Sequence, residues 1–222
     1  MEQTVILITE LVGTVVFAFS GAMVGIEKRM DVFGVWLLAI TTAVGGGMLR
    51  DLLLGNVPPV MFRNPLYVAV ATATALLVFL VAYLGRVPFR NRAMIRALYW
   101  KAISAFDAIG LGMFTVIGVN TAIQGGHGDN GFLLVFVGVV TGVGGGILRD
   151  VLAGVTPVVL YKRVYASASI LGALVYVLLW RRMQGFVAMI TAAAVIILIR
   201  FLAARYRWNL PVADWGGQKE KD

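Results

Sequence analysis

A nineteen-residue stretch occurs twice in the chain. Residues 42–60 read TAVGGGMLRDLLLGNVPPV and residues 141–159 read TGVGGGILRDVLAGVTPVV, and at a spacing of 99 twelve of the nineteen positions are identical. Each glycine costs roughly 1 kcal/mol against alanine in a helix interior. Each charge of an Arg-Asp pair costs about 2.5–3.5 kcal/mol at the centre of a membrane helix. Because both unfavourable features recur in register, they predict a fold built from two related halves.

A second repeated pattern consists of an acid, a glycine, a phenylalanine and a glycine at positions i, i+3, i+7 and i+11. It is formed by Glu10, Gly13, Phe17 and Gly21, and again 97 residues later by Asp107, Gly110, Phe114 and Gly118. Residues at this spacing lie on one face of a helix. The repeat therefore covers at least two helices in each half, with 66–84 and 164–181 as the candidate third helices.

Seven apolar stretches are long enough to cross a membrane. The chain is 60% hydrophobic, against about 45–50% in soluble domains, and one helical span needs roughly 20 apolar residues. The candidate spans are 4–26, 33–54, 66–84, 102–121, 132–153, 164–181 and 184–203. The first stretch has no basic n-region and exceeds the length of a signal-peptide core, so we interpret it as a span. The sequence predicts an all-α polytopic membrane protein with seven transmembrane helices.

The basic residues predict the orientation of these spans. Fourteen of the nineteen Lys and Arg residues lie on alternate connections and the tail: Lys28, Arg29, Arg86, Arg90, Arg92, Arg96, Lys101, Lys162, Arg163, Arg200, Arg205, Arg207, Lys219 and Lys221. The opposite side has Arg63, Arg181 and Arg182. The positive-inside rule then predicts an N-terminus outside and a C-terminus in the cytoplasm. We interpret the basic segments as contacts with anionic membrane lipids rather than with nucleic acid.

The number of spans in each half predicts an inverted repeat. Three spans are an odd number, so the second half enters the membrane from the opposite side, as in many transport proteins. The predicted division is repeat 1 at 1–84, a basic cytoplasmic connection at 85–101, repeat 2 at 102–183, a seventh helix at 184–203 and a basic cytoplasmic tail at 204–222. The seventh helix has no counterpart, and we expect it to bring the tail inside.

Each glycine triplet lies past the middle of a predicted span, Gly45–Gly47 in the second and Gly144–Gly146 in the fifth. We expect such a run to bend or break its helix and to expose backbone carbonyls. A bilayer tolerates these only when they are buried in protein or line a wet cavity. The alternative is close helix packing through small residues spaced four apart. The sequence leaves both open, and we favour broken helices that line a permeation path.

The charged residues after the triplets predict an ion-pair network. Arg50 and Asp51 are adjacent, so on a regular helix they point about 100° apart and should pair poorly with each other. We expect each arginine to pair with an acid elsewhere in the bundle, from the set Arg50, Asp51, Arg149, Asp150, Glu10 and Asp107. One interpretation is a static network that fastens the halves together. The other is an ion path or gate, since intramembrane ionisable residues are usually functional.

With the doubled GGG-x-x-Arg-Asp motif, the seven spans and the two acid-Gly-Phe-Gly stripes, the sequence resembles prokaryotic members of the trimeric intracellular cation (TRIC) channel family. The repeat unit of that family is also described as a glycine-transporter domain. The resemblance covers roughly residues 4–203. It implies a homotrimer with a pore in each protomer, kinks at the glycine triplets, and passive conduction of monovalent cations, chiefly potassium. It predicts a multi-pass cell-membrane protein.

The resemblance agrees with a pathway of carbonyl and hydroxyl oxygens, which can replace part of the hydration shell of potassium. The candidate pathway residues are Gly45, Gly46, Gly47, Gly144, Gly145, Gly146, Ser20, Thr41, Thr42, Thr115 and Thr141. We expect a permeant potassium ion and a bound lipid, with no cofactor and no metal site.

Two other functions stay open. A secondary transporter for glycine or another small zwitterion could use arginine for the carboxylate and aspartate for the ammonium group. A membrane scaffold would need the charges for folding only. The sequence has no histidine cluster and no cysteine, and its glycine motif lacks the Lys-Ser/Thr of a phosphate-binding loop. We therefore expect no catalytic residues.

Overall fold

The structure, a computed structural model, describes residues 2–84, 92–161, 164–206 and 208. The predicted connection at 85–101 lies partly outside these residues, and the predicted tail at 204–222 lies mostly outside them. The described helices are α1 Glu2–Glu27, α2 Val32–Leu53, α3 Val60–Arg63, α4 Leu66–Leu84, α5 Arg92–Ala122, α6 Gly131–Leu152, α7 Val158–Tyr161, α8 Ala166–Leu179 and α9 Gly185–Tyr206. A π-helical turn at Ile123–His127 extends α5.

Six of the described helices are long and apolar enough to cross a membrane. They are Thr4–Glu27, Val32–Leu53, Leu66–Leu84, Ala102–His127, Gly131–Leu152 and Gly185–Tyr206. Large apolar side chains such as Leu77, Leu84 and Leu198 are exposed on their outer faces, which suits lipid rather than water. The prediction of an all-α, multi-pass membrane protein is confirmed.

The sixth predicted span, residues 164–181, is shorter in the structure than predicted. Residues 164–181 contain α8, which has fourteen residues and is about 21 Å long at a rise of 1.5 Å per residue. That length is less than the roughly 30 Å of a hydrocarbon core. Another boundary also differs, because α5 begins at Arg92 rather than at the predicted residue 102. Arginine, lysine and alanine favour helix, so the helix extends beyond its apolar part.

The two repeats are joined by helices that run antiparallel. Phe17 lies against Gly110, Phe114 lies against Gly13, and the rings of Phe19 and Phe106 stack 4.3 Å apart. Successive residues of α1 therefore contact residues of decreasing number in α5, so the two helices are antiparallel. Around this pair, α1 packs on α2 and α4, whereas α5 packs on α6, α8 and α9.

The ends of α2 and α6 are built alike. Gly55 and Gly154 follow the two helices with φ values of 73° and 67°, a region that glycine enters without steric cost. The backbone N–H of Asn56 then donates to the carbonyl of Asp51 at 2.8 Å. The equivalent bond runs from Val155 to Asp150 at 2.9 Å. Both helices thus end at a glycine with positive φ, and the chain turns directly into α3 and α7.

The predicted break at the glycine triplets is wrong. Both α2 and α6 continue as α-helix through Gly45–Gly47 and Gly144–Gly146. The glycines instead allow the two backbones to approach closely, which was the alternative left open by the sequence. Packing of this kind keeps every helical hydrogen bond, whereas unwinding would leave backbone groups to be satisfied within the bilayer.

Candidate ion pathway

The first two glycines of each triplet form the crossing of α2 and α6. A Cβ atom on Gly46 would overlap the carbonyl oxygen of Thr141, and one on Gly145 would overlap the carbonyl oxygen of Thr42. At the same crossing, a Cβ on Gly45 would lie 2.6 Å from Leu148 Cδ1, and one on Gly144 would lie 2.9 Å from Leu49 Cδ1. Each contact has its repeat equivalent, as an approximate two-fold axis through the crossing requires.

The third glycine of each triplet lies beside a charged site instead. A Cβ on Gly47 would lie 3.8 Å from Arg50 Nη2. A Cβ on Gly146 would lie 3.2 Å from the hydroxyl of Tyr165 and 3.8 Å from Asp107 Oδ1. Each triplet therefore has two structural roles. Its first two glycines allow the helices to cross closely, and its third glycine leaves room for an arginine and its partners.

The hydroxyl groups predicted for the pathway have different hydrogen-bond partners. Thr42 and Thr141 each donate to a carbonyl of their own helix, Leu38 and Val137, at 2.6 Å. Thr115 and Ser169 are hydrogen-bonded at 2.7 Å. Thr41 is half-buried. Ser20 has a different partner, because it accepts a hydrogen bond from Arg149 Nη1 at 2.6 Å.

The charged site of the first repeat lies at the end of α2. Arg50 and Asp51 are 6% and 1% exposed, and Arg50 Nε donates to Asp51 Oδ1 at 2.8 Å. The other carboxylate oxygen of Asp51 accepts the backbone N–H of Val60 at 2.9 Å. Nearby, the hydroxyl of Tyr67 donates to Glu10. These groups line one cavity, together with Thr14.

The charged site of the second repeat is built from the equivalent residues. Arg149 Nε donates to Asp150 Oδ1 at 2.8 Å, and Asp150 Oδ2 accepts the N–H of Val158 at 2.8 Å. Arg149 Nη1 also lies 3.0 Å from Asp107 Oδ1. Together with its bond to Ser20, this arginine joins three helices, α6, α5 and α1.

The expectation that neighbouring Arg and Asp residues pair poorly is wrong. Arg50 pairs with Asp51 and Arg149 pairs with Asp150, each at 2.8 Å. The angle of 100° separates the Cβ directions, but the arginine side chain is long enough to curve around the helix to its neighbour. The predicted pairing with an acid on another helix is found for Arg149 and Asp107. In the described part of the chain, Asp51 is the one carboxylate that pairs with Arg50.

Arg200 is a member of the second site that the sequence reasoning missed. The positive-inside pattern assigns it to the cytoplasmic side, but it is 6% exposed and lies within α9. Its Nη2 is 3.9 Å from Asp107 Oδ2, and its guanidinium carbon lies 4.5 Å from the centre of the Tyr165 ring. A sequence signal was available: Arg200 is a single charge within the apolar run AAAVIILIRFLAA, and such charges are rarely left facing lipid.

These features define a class: a multi-pass helical membrane protein with a buried arginine–acid site in each half. A family model described as glycine transporter matches the chain twice, at residues 7–83 and 104–181. The UPF0126 membrane protein of Deinococcus radiodurans is 39% identical over 205 residues, covering 91% of this chain and 89% of that protein. The UPF0126 inner membrane protein YadS of Escherichia coli is 39% identical over 207 residues, covering 91% and 93%.

Solved structures agree with these relatives. A TRIC cation channel superposes with a TM-score of 0.80 at 33% identity, covering 95% of this chain and 98% of that one. The TRIC trimeric intracellular cation channel orthologue from Rhodobacter sphaeroides superposes with a TM-score of 0.80 at 32% identity, covering 92% and 100%. The chain belongs to the prokaryotic TRIC family, whose repeat unit carries the glycine-transporter description.

Proposed function

We propose that this protein is a cation channel of the cell membrane that conducts monovalent cations, chiefly potassium, through a path in each protomer of a homotrimer. The observation that carries the proposal is a pair of buried charged sites on either side of a glycine crossing. The relatives support it, because a chain 33% identical over 95% of this one is a TRIC cation channel.

The proposed path connects the two charged sites. Glu10 belongs to the first site and Ser20 bonds to Arg149 of the second, so the sites lie ten residues apart along α1, or about 15 Å at 1.5 Å per residue. Phe17 and Phe114 meet between these levels, and a Cβ on Gly145 would lie 3.4 Å from the Phe17 ring. We propose that this constriction closes the path.

Within the path, the charged sites would attract and release cations. Each arginine is held by at least one aspartate, which reduces the repulsion that a free guanidinium would exert on a passing cation. Glu10 and Asp107 provide carboxylates at the two levels. Because the described glycines keep their helical hydrogen bonds, carboxylate and hydroxyl oxygens are better candidate ligands in this conformation than freed carbonyls.

The proposed topology is an inverted 3+3 repeat with a seventh helix, an N-terminus outside and a C-terminus in the cytoplasm. Antiparallel packing of α1 and α5 supports the inversion. In this arrangement α8 is a short third span equivalent to α4, and α9 is the seventh helix. Cysteine-accessibility labelling tests it, since the chain has no native cysteine. Labelling of a cysteine at Asp129 from the outside is expected, and labelling only from the cytoplasm would refute the orientation.

Homotrimer formation is proposed because the Rhodobacter sphaeroides orthologue is described as trimeric. Native mass spectrometry of detergent-released protein tests it against a protomer mass of 23.9 kDa. We expect a species of three protomers with bound anionic lipid. A monomer that conducts at the same rate per chain would refute the trimer but not the channel.

The function is tested in vesicles loaded with potassium chloride and diluted into buffer with an impermeant cation. We expect a potassium flux driven by the membrane potential that does not depend on glycine. The glycine-transporter description favours one competing function, uptake of a small zwitterion. Saturable uptake of labelled glycine into vesicles that hold their potassium would support that function instead. Neither channel nor transporter activity requires a catalytic residue.

A further inference from the structure

The charged site of the second repeat has one positive charge more than the site of the first. In the first site Glu10 and Asp51 accompany Arg50, and within the described residues no other guanidinium lies at salt-bridge distance from either acid. The second site has two carboxylates and two guanidinium groups, from Asp107, Asp150, Arg149 and Arg200. With every group ionised, the first site therefore carries one net negative charge and the second is neutral.

The additional positive charge comes from outside the repeat. Arg200 lies on α9, which packs on α5 and α8 and has no sequence counterpart in the first half. Its guanidinium lies over the Tyr165 ring and near Asp107. The equivalent tyrosine and acid of the first repeat are Tyr67 and Glu10, 98 and 97 residues earlier, and there the tyrosine donates directly to the acid. The two repeats thus share the tyrosine and the acid and differ in the arginine.

The contacts of Arg200 do not explain why the second site contains it. Arg149 already bonds to Asp107 at 3.0 Å and to Asp150 at 2.8 Å. Arg200 is held more loosely: its Nη2 is 3.9 Å from Asp107, and its Nη1 donates to the carbonyl of Val164 at 3.3 Å. Its buried Nε has no hydrogen-bond partner in the part of the chain that the structure describes. A buried donor without a partner lowers stability, so the charge itself is the property to explain.

This charge lies at one end of the proposed path only. In the proposed topology α1 begins outside, so Glu10 belongs to the outer half of the path, whereas Arg200, near the end of α9, belongs to the cytoplasmic half. The outer site keeps its net negative charge, and Arg200 cancels the equivalent charge of the cytoplasmic site. A negatively charged cleft raises the local concentration of cations. Potassium should therefore enter the path more readily from outside than from the cytoplasm.

We propose that Arg200 determines the direction in which the channel conducts best: by making the cytoplasmic end of the path neutral, it favours potassium entry into the cell over exit. The proposal rests on the proposed function, because a difference between inward and outward current requires a channel. In this role Arg200 neither opens nor closes the path. It sets the concentration of cations at one of the two ends.

The proposal is tested by single-channel recording in inside-out patches from giant bacterial spheroplasts that produce the protein, because the channel keeps its cellular orientation there. Patches from cells that lack the protein give the background. Symmetrical potassium chloride of about 0.1 M is used, where the Debye length is about 10 Å. At equal and opposite voltages, we expect the inward current to exceed the outward current by at least about twofold, as a charged entrance predicts. Arg200→Met should raise the outward current and bring the ratio close to one.

Two further variants separate the charge of this residue from its packing. Arg200→Lys keeps the positive charge in a side chain of different shape, and it should rectify as the parent does. Arg205→Met removes an exposed arginine of the same helix, and it should leave the current ratio unchanged. Each ratio is measured on single open channels, so it does not depend on the fraction of protein that folds.

Glu10→Gln tests the proposal from the other end of the path and leaves Arg200 in place. It keeps a hydrogen-bond acceptor for Tyr67 and makes the first site neutral, so the inward current should fall until the ratio is again close to one. When Glu10→Gln and Arg200→Met are combined, only the cytoplasmic end is negative, and the outward current should become the larger one.

The outcomes distinguish this proposal from the channel function. A parent channel whose inward current does not exceed its outward current would overturn the proposal alone. Inward rectification that persists in Arg200→Met, or that Arg200→Lys loses to the same extent, would also overturn it. If Arg200→Met gives no current, unchanged inward rectification in Glu10→Gln would have the same meaning. Absence of any current above background in the parent would refute the channel itself.

Discussion

Phe17 and Phe114 are equivalent residues of the two repeats, and their rings meet with centroids 5.1 Å apart and planes tilted by 45°. Each ring also lies against a glycine of the opposite helix, Phe17 against Gly110 and Phe114 against Gly13. Such reciprocal contacts require an approximate two-fold axis that passes between the rings. A residue pair on this axis is equally distant from the two charged sites. A single constriction at this position could close a path that has two similar entrances.

Removing one of these two rings should raise the potassium flux. Phe114 is 8% exposed, and Phe114→Ala removes the ring that faces Phe17. We expect a faster flux per folded protomer, with a loss of stability of about 3–5 kcal/mol as for other buried phenylalanines. The measurement is vesicle flux normalised to folded protein. Phe132→Ala, at a position 80% exposed, should change neither quantity, and an unchanged or slower flux in Phe114→Ala would argue against an aromatic constriction.

A single methyl group at the helix crossing should disturb both packing and conduction. Gly46→Ala and Gly145→Ala each put a Cβ onto a carbonyl oxygen of the partner helix, and backbone cannot move aside as a side chain can. We expect each change to lower stability by about 1–3 kcal/mol, as overpacked cores do, and to reduce flux. The measurements are thermal unfolding and vesicle flux.

Gly131→Ala is the control for this pair, because a Cβ there meets no atom within 4 Å. It should leave unfolding and flux unchanged. Wild-type flux from folded Gly46→Leu or Gly145→Leu protein would show that the crossing takes no part in conduction.

The sequence predicted the helices and the repeat well, because both depend on local pattern. Apolar length marked six of the spans, and the duplicated motif marked the equivalent positions. It predicted the wrong conformation for the glycine triplets. Glycine is unfavourable in an isolated helix, but that penalty is outweighed where the missing side chain lets another helix approach, and this partner is not visible in the sequence.

The charged pairs were harder to predict for a related reason. Helix geometry fixes Cβ directions, but the reach of Arg50 and Arg149 and the position of their partners depend on tertiary packing. Arg200 is the clearest case: in the sequence its charge indicates topology, whereas its contacts with Asp107 and Tyr165 depend on the packing of α9 on α5 and α8.

The two motif arginines should differ in their importance for stability. Arg149 bonds to Asp150, Asp107 and Ser20, whereas Arg50 pairs with Asp51 in the described part of the chain. We expect Arg149→Met to cost about 3–5 kcal/mol, the range for removing one partner of a buried ion pair, and Arg50→Met to cost less. Chemical unfolding of both variants in the same detergent measures the difference. Equal losses would mean that the contacts with α1 and α5 add nothing.

Asp51 should stabilise the segment that follows α2, in addition to pairing with Arg50. One carboxylate oxygen accepts from Arg50 and the other from the backbone N–H of Val60, which begins α3. Asp51→Asn replaces one acceptor oxygen by an NH2 group, which donates hydrogen bonds and accepts none. One of the two contacts is then lost, and we expect faster hydrogen exchange across Val60–Arg63. Asp129→Asn, at an exposed position, serves as the control. Exchange across α3 that stays as slow as in the parent protein would mean that the short helix is held by its apolar contacts alone.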